Sequence, residues 1–442
     1  MTEPGYARRL GLFSATMLVI GGIIGAGIFL SPAVVAQRVG TPALTLGVWG
    51  IGAAIALIGA FVFAELGQRR PLAGGGYAYL REAFGPLAGF LYAWALLLAI
   101  ATGAAAAVAM TFAGYAADLL GMPDSAQRPL AASAILLLTV INIVGVRPAA
   151  WTQNLFTILK LAAIAVLIGA ALFLAGSGSD VATADPVALE GSLVRAVGWA
   201  LVPVLFAFGG WQQTNFVAEE LIEPRRNLPR ALVIGVTCVA VAYLLVNVAY
   251  LETLGAAGLA ASIAPAAETM GVVAGDGGRR LIAAGIVAST FGFLNLVILV
   301  SPRVYQAMAR DGLFFRAFAR LHPRWQTPVT AIVAQGAWAI VLVYSGSYGQ
   351  LLDWVVFADW IFFGLTAATL FVLRRRDGAD GAGSGFRVPL HPWTTLLFIA
   401  ASGYVVLFGS VLANPGNALR GALLLLAGVP IYLYWRSRRV AT

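Results

Sequence analysis

Residues 21–32 read Gly21-Gly22-Ile23-Ile24-Gly25-Ala26-Gly27-Ile28-Phe29-Leu30-Ser31-Pro32, inside an apolar run spanning about 11–38. Each glycine weakens a helix by roughly 1 kcal/mol relative to alanine, so a helix through this run is expected to break. In hydrocarbon, broken backbone is tolerated only where it lines a cavity or is buried in protein. A second interruption follows at Pro203 and Phe206-Ala207-Phe208-Gly209-Gly210-Trp211. Glycine used only for close helix packing is one reading of either run. Two interrupted spans, the first and sixth of ten core helices, form the inverted-repeat pattern of secondary transporters. Half-helices meeting at a break aim amides at an anion and carbonyls at a cation, and a zwitterionic α-amino acid carries both charges.

The surrounding composition requires a membrane. Of 442 residues, 60% are hydrophobic and 11% charged, against about 25% charged in soluble domains. Runs long enough to cross a bilayer lie near 11–38, 43–68, 84–118, 130–146, 151–175 and 196–221. Six more lie near 229–254, 279–309, 327–345, 350–373, 391–412 and 416–436. That is about twelve helices, where a crossing takes about 20 mostly apolar residues. The expected class is an all-α polytopic membrane protein forming one domain over 1–442. The polar segments 176–195, 310–326 and 377–385 are too short for a soluble domain.

Charge sets the orientation. Lys160 is the only lysine among 28 basic residues, and with an N-terminus inside, the 27 arginines divide 21 inside to 6 outside. The positive-inside bias therefore places both termini in the cytoplasm. Short arginine clusters between apolar runs do not make a nucleic-acid surface. Cys238 is alone, and His322 and His391 lie in polar connections beside prolines, so no disulfide within the chain, metal site or catalytic triad is expected. No cofactor is expected either. The spans offer no set of nucleophile, base and ligand for an enzyme, and no cleaved leader is apparent.

The chain resembles the amino acid–polyamine–organocation superfamily, and within it bacterial relatives of the L-type amino-acid transporters. The resemblance rests on GGIIGAGIFLSP at 21–32, AELGQRRPLAGGGYAYLREAFGPLAGFLYAW at 64–94 and INIVGVRPAAWTQNLFTILKL at 141–161. It continues in LFAFGGWQQTNFVAEELIEPRRNLP at 205–229, SPRVYQAMARDG at 301–312 and FRVPLHP at 386–392. It implies a LeuT-like fold of two inverted five-helix repeats, 11–175 and 196–373, with two further helices over 391–436. It also implies a sodium-independent exchanger of L-amino acids, neutral ones foremost, in a bacterial inner membrane. The alternative is a proton-coupled symporter, for cationic amino acids through Asp359.

By this resemblance the substrate carboxylate meets amides at Gly25, Ala26 and Gly27, and the α-ammonium meets carbonyls of Ile23, Phe206 and Gly209. Many relatives have serine at Ala26, so this chain lacks a hydroxyl donor there. Phe206 matches the aromatic that closes over substrate, or is an ordinary core phenylalanine. Gln212 stands where asparagine is frequent, and its longer amide either narrows the pocket or points elsewhere.

Asp359 lies within the tenth span, where an acid is costly unless it serves a purpose. It selects a cationic side chain, carries a proton, or pairs locally; Asp353, nearer the outer end, reads as solvated. Lys160, deep in the fifth span, matches the lysine that fills the cation site of sodium-independent members. It is expected to meet carbonyls near Gly21 and polar groups around Ser289 or Thr290. A fixed charge there supports exchange, a lysine that gives up its proton supports proton coupling, and helix packing is the plain alternative. Glu219, Glu220 and Glu223 face the arginine-rich 69–81 loop in this topology, either as an inner gate or as solvated charge. Expected partners are an L-amino-acid substrate and the lipid bilayer. No cysteine lies in an outside loop, so no disulfide-linked accessory subunit is expected.

Overall fold

The computed structural model describes residues 6–174, 192–345, 348–378 and 385–440. The connection 176–191, most of 377–385 and the side chain of Asp353 lie outside the described residues.

The described residues form helices joined by turns and short connections. The first span consists of α1 (Leu12–Ile23) and α2 (Gly27–Val39), bent by 42° across residues 24–26. Gly40, at φ 68°, ends α2 in the left-handed region that glycine adopts without strain. Thr41 then opens α3 (Pro42–Arg69): its hydroxyl accepts from the Leu44 amide at 3.3 Å, and Pro42 occupies the first turn, where no amide is needed.

Two short helices, α4 (Gly76–Phe84) and α5 (Pro86–Ala95), lead through a π-helical turn at Leu96–Ile100 into α6 (Ala101–Leu120). Next come α7 (Gln127–Val144) and α8 (Val146–Leu174). The sixth span is α9 (Leu193–Ala207), which stops at the Phe208-Gly209-Gly210 turn and resumes as a 3₁₀ helix over Trp211–Glu220. Gly210, at φ 106°, makes that turn. The remainder comprises α10 (Pro224–Ala261), α11 (Pro265–Val300), α12 (Pro302–Arg310), α13 (Arg316–Ala319), α14 (Val329–Ser345), α15 (Tyr348–Asp377), α16 (Trp393–Tyr404) and α17 (Pro415–Val440).

Among the described residues ten helices are long and apolar enough to cross a membrane, or eleven with α1 and α2 counted as one span. The expectation of twelve included the run 327–345. Within that run the described residues form α14, Val329–Ser345, whose 17 described residues are at the short end of the roughly 17–25 that cross a bilayer. The protein is an all-helical, multi-pass membrane protein.

The two breaks meet. Helix α1 packs beside the 3₁₀ segment Trp211–Glu220, while α2 packs beside α9, and α3 runs along α10. At the crossing a Cβ on Gly22 would lie 2.8 Å from the Gly210 carbonyl oxygen, and one on Gly27 would lie 2.9 Å from the Ala207 Cβ. Close packing and broken backbone are therefore one arrangement here. Two chains cross at bare backbone, and the space that opens beside them is lined by it.

Candidate functional site

A cavity of about 320 Å³ lies against both breaks, and Gly25, Ala26, Gly27, Phe206, Gln212 and Asp359 all line it. Ile23 and Gly209 line it as well. Residues from three distant stretches of sequence thus reach one chamber, whose remaining wall is largely aliphatic and aromatic. The π-helical turn contributes Leu96 and Ile100 to that wall.

The polar atoms at the first break are not all available in this conformation. The Gly25 amide, expected to be free, donates to the Ile23 carbonyl at 2.9 Å. A tight turn at residues 23–25 uses that donor, which local sequence does not reveal. Ala26 and Gly27 open α2, where first-turn amides have no partner within the helix. The Ile23 carbonyl also lies 3.1 Å from the Tyr243 hydroxyl, and the Phe206 carbonyl accepts from the Gly209 amide at 3.0 Å. A carbonyl oxygen has two lone pairs, so the Ile23 carbonyl, which takes both the Gly25 amide and the Tyr243 hydroxyl, can receive a further donor only when the turn at residues 23–25 opens or the phenol turns to the Ala207 carbonyl. Gln212 turns its amide oxygen onto the Gly210 amide at 3.0 Å and so braces the second break.

Tyr243 is fully buried on α10, and its hydroxyl reaches the Ile23 carbonyl at 3.1 Å and the Ala207 carbonyl at 3.3 Å, one at each break. Sequence reasoning did not single it out. The available signal was a tyrosine within the apolar run 229–254, since a buried phenol needs a partner for its hydroxyl.

Behind the first break, Lys160 on α8 is fully buried. Its Nζ donates to the Gly21 carbonyl at 3.1 Å and the Ile24 carbonyl at 2.6 Å. The Ser289 hydroxyl of α11 donates toward the Ile24 and Gly25 carbonyls, both at 3.3 Å. Thr290, the other expected neighbour, bonds back to the Ile286 carbonyl of its own helix at 2.8 Å. Gly292 lets α11 approach α8 closely: a Cβ there would lie 2.8 Å from the Phe156 Cβ, with the Lys160 Cε in ordinary contact at 3.5 Å.

Asp359 faces the cavity beside Trp360. Among the described residues it has no ion-pair partner, and no basic side chain lines the cavity.

The acids at the end of the sixth span find other partners than expected. Glu220 pairs with Arg303 of α12 at 2.7 Å, both side chains being essentially inaccessible, and Glu219 pairs with Arg310 at 3.5 Å. The 69–81 arginines are committed elsewhere. Arg69 binds Glu65 and Asp377, Arg70 binds Glu82 and Asp377, and Arg81 binds Asp311. Glu223 pairs at 3.6 Å with Arg226, in the first turn of the α10 helix that it caps, with both side chains 63% exposed. Both the α3–α4 connection, whose Gly74 amide donates to the Phe216 carbonyl at 3.0 Å, and α12 lie against the 3₁₀ segment, and the arginines of the former are already taken by Glu65, Glu82, Asp311 and Asp377.

Residues 10–430 match the amino acid permease family. The chain belongs to that family. The permease is 33% identical to the human large neutral amino acids transporter small subunit 2, over 98% of this chain and 81% of the relative. Its identity to the human Asc-type amino acid transporter 1 is also 33%, over 99% of this chain and 86% of the relative. To the serine/threonine exchanger SteT of Bacillus subtilis it is 32% identical, over 99% of both chains. The permease is accordingly a transport protein and not an enzyme.

Proposed function

We propose that the permease is a sodium-independent exchanger of L-amino acids, chiefly neutral ones, working by alternating access. The reading takes a LeuT-like fold with inverted repeats over 11–175 and 196–373, helices 391–436 outside them, and both termini in the cytoplasm of a bacterial cell. The cavity at the crossed breaks receives the substrate. Its carboxylate takes the amides of Ala26 and Gly27, and that of Gly25 once the turn at residues 23–25 opens. Its ammonium takes the carbonyls of Phe206 and Gly209, and that of Ile23 once the same turn opens and releases it. Both groups must be desolvated together, and fixed backbone dipoles supply charge-assisted bonds without reorganising. The Phe206 ring closes over them, and exclusion of water strengthens the contacts beneath it. The names of the relatives, with their large neutral amino acids and their serine and threonine, support the neutral class.

The observation that carries the coupling is Lys160. Its ammonium holds the two carbonyls, Gly21 and Ile24, at the inner side of the first break. A cation site at these carbonyls is already served by the protein's own charge, so no sodium is required to compensate them. Glu219 and Glu220, with Arg310 and Arg303, serve as the inner gate.

One observation favours a second reading. Asp359 faces the substrate cavity with no cation beside it, which suits a proton or a cationic side chain at the distal end of the substrate. One experiment weighs both readings. Purified permease in liposomes is offered a panel of labelled neutral and cationic amino acids, with and without internal amino acid, sodium and a pH gradient. Uptake of neutral amino acids driven by internal substrate and indifferent to sodium is the expected result. Uptake that ignores internal substrate and follows the pH gradient overturns exchange and favours proton coupling.

A further inference from the structure

A second cavity, of about 520 Å³, lies at the end of the molecule that carries the inner gate, walled by Tyr6, Gln306, Arg310, Arg320, His322 and Thr330. No acid lines it, although two arginines do. Arg310 is shared with Glu219 at 3.5 Å, whereas Arg320 has no acidic partner among the described residues. Thr330 is the second residue of α14, and first-turn amides carry partial positive charge without a partner in their own helix. The His322 Nδ1 accepts from the Arg324 and Trp325 amides, both at 3.3 Å, so the neutral ring keeps its proton on Nε2, as a donor.

Two buried polar atoms in this wall have no partner among the described residues. One is the Tyr6 hydroxyl, the other the Gln306 side-chain oxygen. Gln306 is only 3% exposed, and its amide nitrogen is already committed to the Ala319 carbonyl at 3.0 Å. Burial pushes the Tyr6 hydroxyl well above the ordinary tyrosine pKa, so at neutral pH it remains a donor. An orphaned buried polar group costs about 1–3 kcal/mol, which a ligand can recover. What is missing is an acceptor for Tyr6, an anion between Arg310 and Arg320, and a donor for Gln306.

We propose that this cavity binds a phosphate group that carries its own hydrogen-bond donor. Two sources have that chemistry: a glycerol or ethanolamine phospholipid headgroup, and free hydrogen phosphate. The cavity's position favours the lipid as source, because Val329 and Thr330 begin an apolar helix, the level at which headgroups lie. Basic pockets at the cytoplasmic membrane surface attract anionic headgroups by about 1 kcal/mol per arginine. A headgroup seated here ties α12, α14 and the N-terminal segment together beside the Arg303–Glu220 pair. The sidedness rests on the proposed topology; the binding itself does not.

The test is native mass spectrometry of delipidated, full-length permease titrated with phosphatidylglycerol, phosphatidylethanolamine, phosphatidylcholine or inorganic phosphate. Phosphatidylcholine has the phosphate but no headgroup donor, and its apparent affinity is expected to be several-fold the weakest of the three lipids. Arg320→Gln is expected to weaken phosphatidylglycerol binding about fivefold. Tyr6→Phe, which keeps the ring, is expected to weaken it about threefold. Saturable binding of inorganic phosphate that excludes the lipids, and is weakened by the same substitutions, keeps the chemistry and identifies the free ion as the source. Equal retention of all three lipids by the wild type overturns the proposal, even if a variant fails to fold. Unchanged binding in both folded variants overturns it as well. Amino-acid exchange by the wild type is measured separately, so failure of the transport reading is distinguishable from failure of this one.

Discussion

Two buried cations, Lys160 and Arg303, are held in opposite ways. Arg303, at the end of the bundle, is paired with the Glu220 carboxylate at 2.7 Å and also donates to the Leu299 carbonyl. Lys160, near the middle of α8, has carbonyl oxygens and no carboxylate: Gly21 at 3.1 Å and Ile24 at 2.6 Å. The first arrangement couples two side chains on two elements, the 3₁₀ segment and α12, so separating the elements separates the charges. The second couples a side chain to a helix end, so the charge follows the broken helix. A gate requires a contact that can part. A brace beside a substrate site requires one that persists.

The largest effect should come from dividing the pair. Glu220→Gln leaves Arg303 buried with an uncompensated charge, and removing one partner of a buried pair costs about 3–5 kcal/mol. That loss falls on the conformation in which Glu220 and Arg303 touch. The expected outcome is a lower unfolding midpoint together with greater labelling, from the Glu220 end, of a cysteine introduced into the cavity wall. A midpoint that falls without increased labelling makes the pair structural and removes it from the gate.

Lys160 ranks second. Lys160→Ala leaves the Gly21 carbonyl without its donor and the Ile24 carbonyl with only the Ser289 hydroxyl, at about 1–3 kcal/mol for a group left unpaired, less whatever water recovers. The fold, held by an extensive apolar core, should survive, while exchange in liposomes falls about tenfold or more and its inside–outside asymmetry changes. Unchanged kinetics on both faces would falsify the role assigned to this lysine. If the lysine compensates those carbonyls, sodium should gain an effect in the variant that it lacks in the wild type.

The same contrast marks what was legible in the sequence. Both breaks were, because glycine and proline act on the backbone at their own positions: α1 stops at Ile23 and α9 at Ala207. Lys160 was legible because a lone lysine in an apolar run must find nearby acceptors, and the family motif indicated which. The partners of Glu219 and Glu220 were not. Arginines at 69–81 and at 303–310 belong to the same face by charge bias, and only packing decides between them. The used Gly25 amide and the Tyr243 bridge escaped for a related reason. A turn that consumes its own donor, and a phenol spanning two breaks, depend on distances that no local pattern encodes.

Glu223 sharpens the comparison from its weak end. It is only three residues beyond Glu220 and has the same charge, yet it is 63% exposed and lies 3.6 Å from an equally exposed Arg226. Exposed pairs contribute about 0–1 kcal/mol, because water and salt screen them and holding two long side chains costs entropy. Glu223→Gln should therefore leave the unfolding midpoint, the labelling and the exchange rate all near wild type. The left-handed backbone of Glu223, at φ 48°, offers a control in the other direction. Glu223→Gly relieves that conformation at the mouth of α10 and should be neutral or slightly stabilising, by up to about 1 kcal/mol. If Glu223→Gln instead matched Glu220→Gln in thermal melts and labelling, burial would not be what distinguishes the acids at this end. The assignment of the gate to the Glu220–Arg303 pair would then fail.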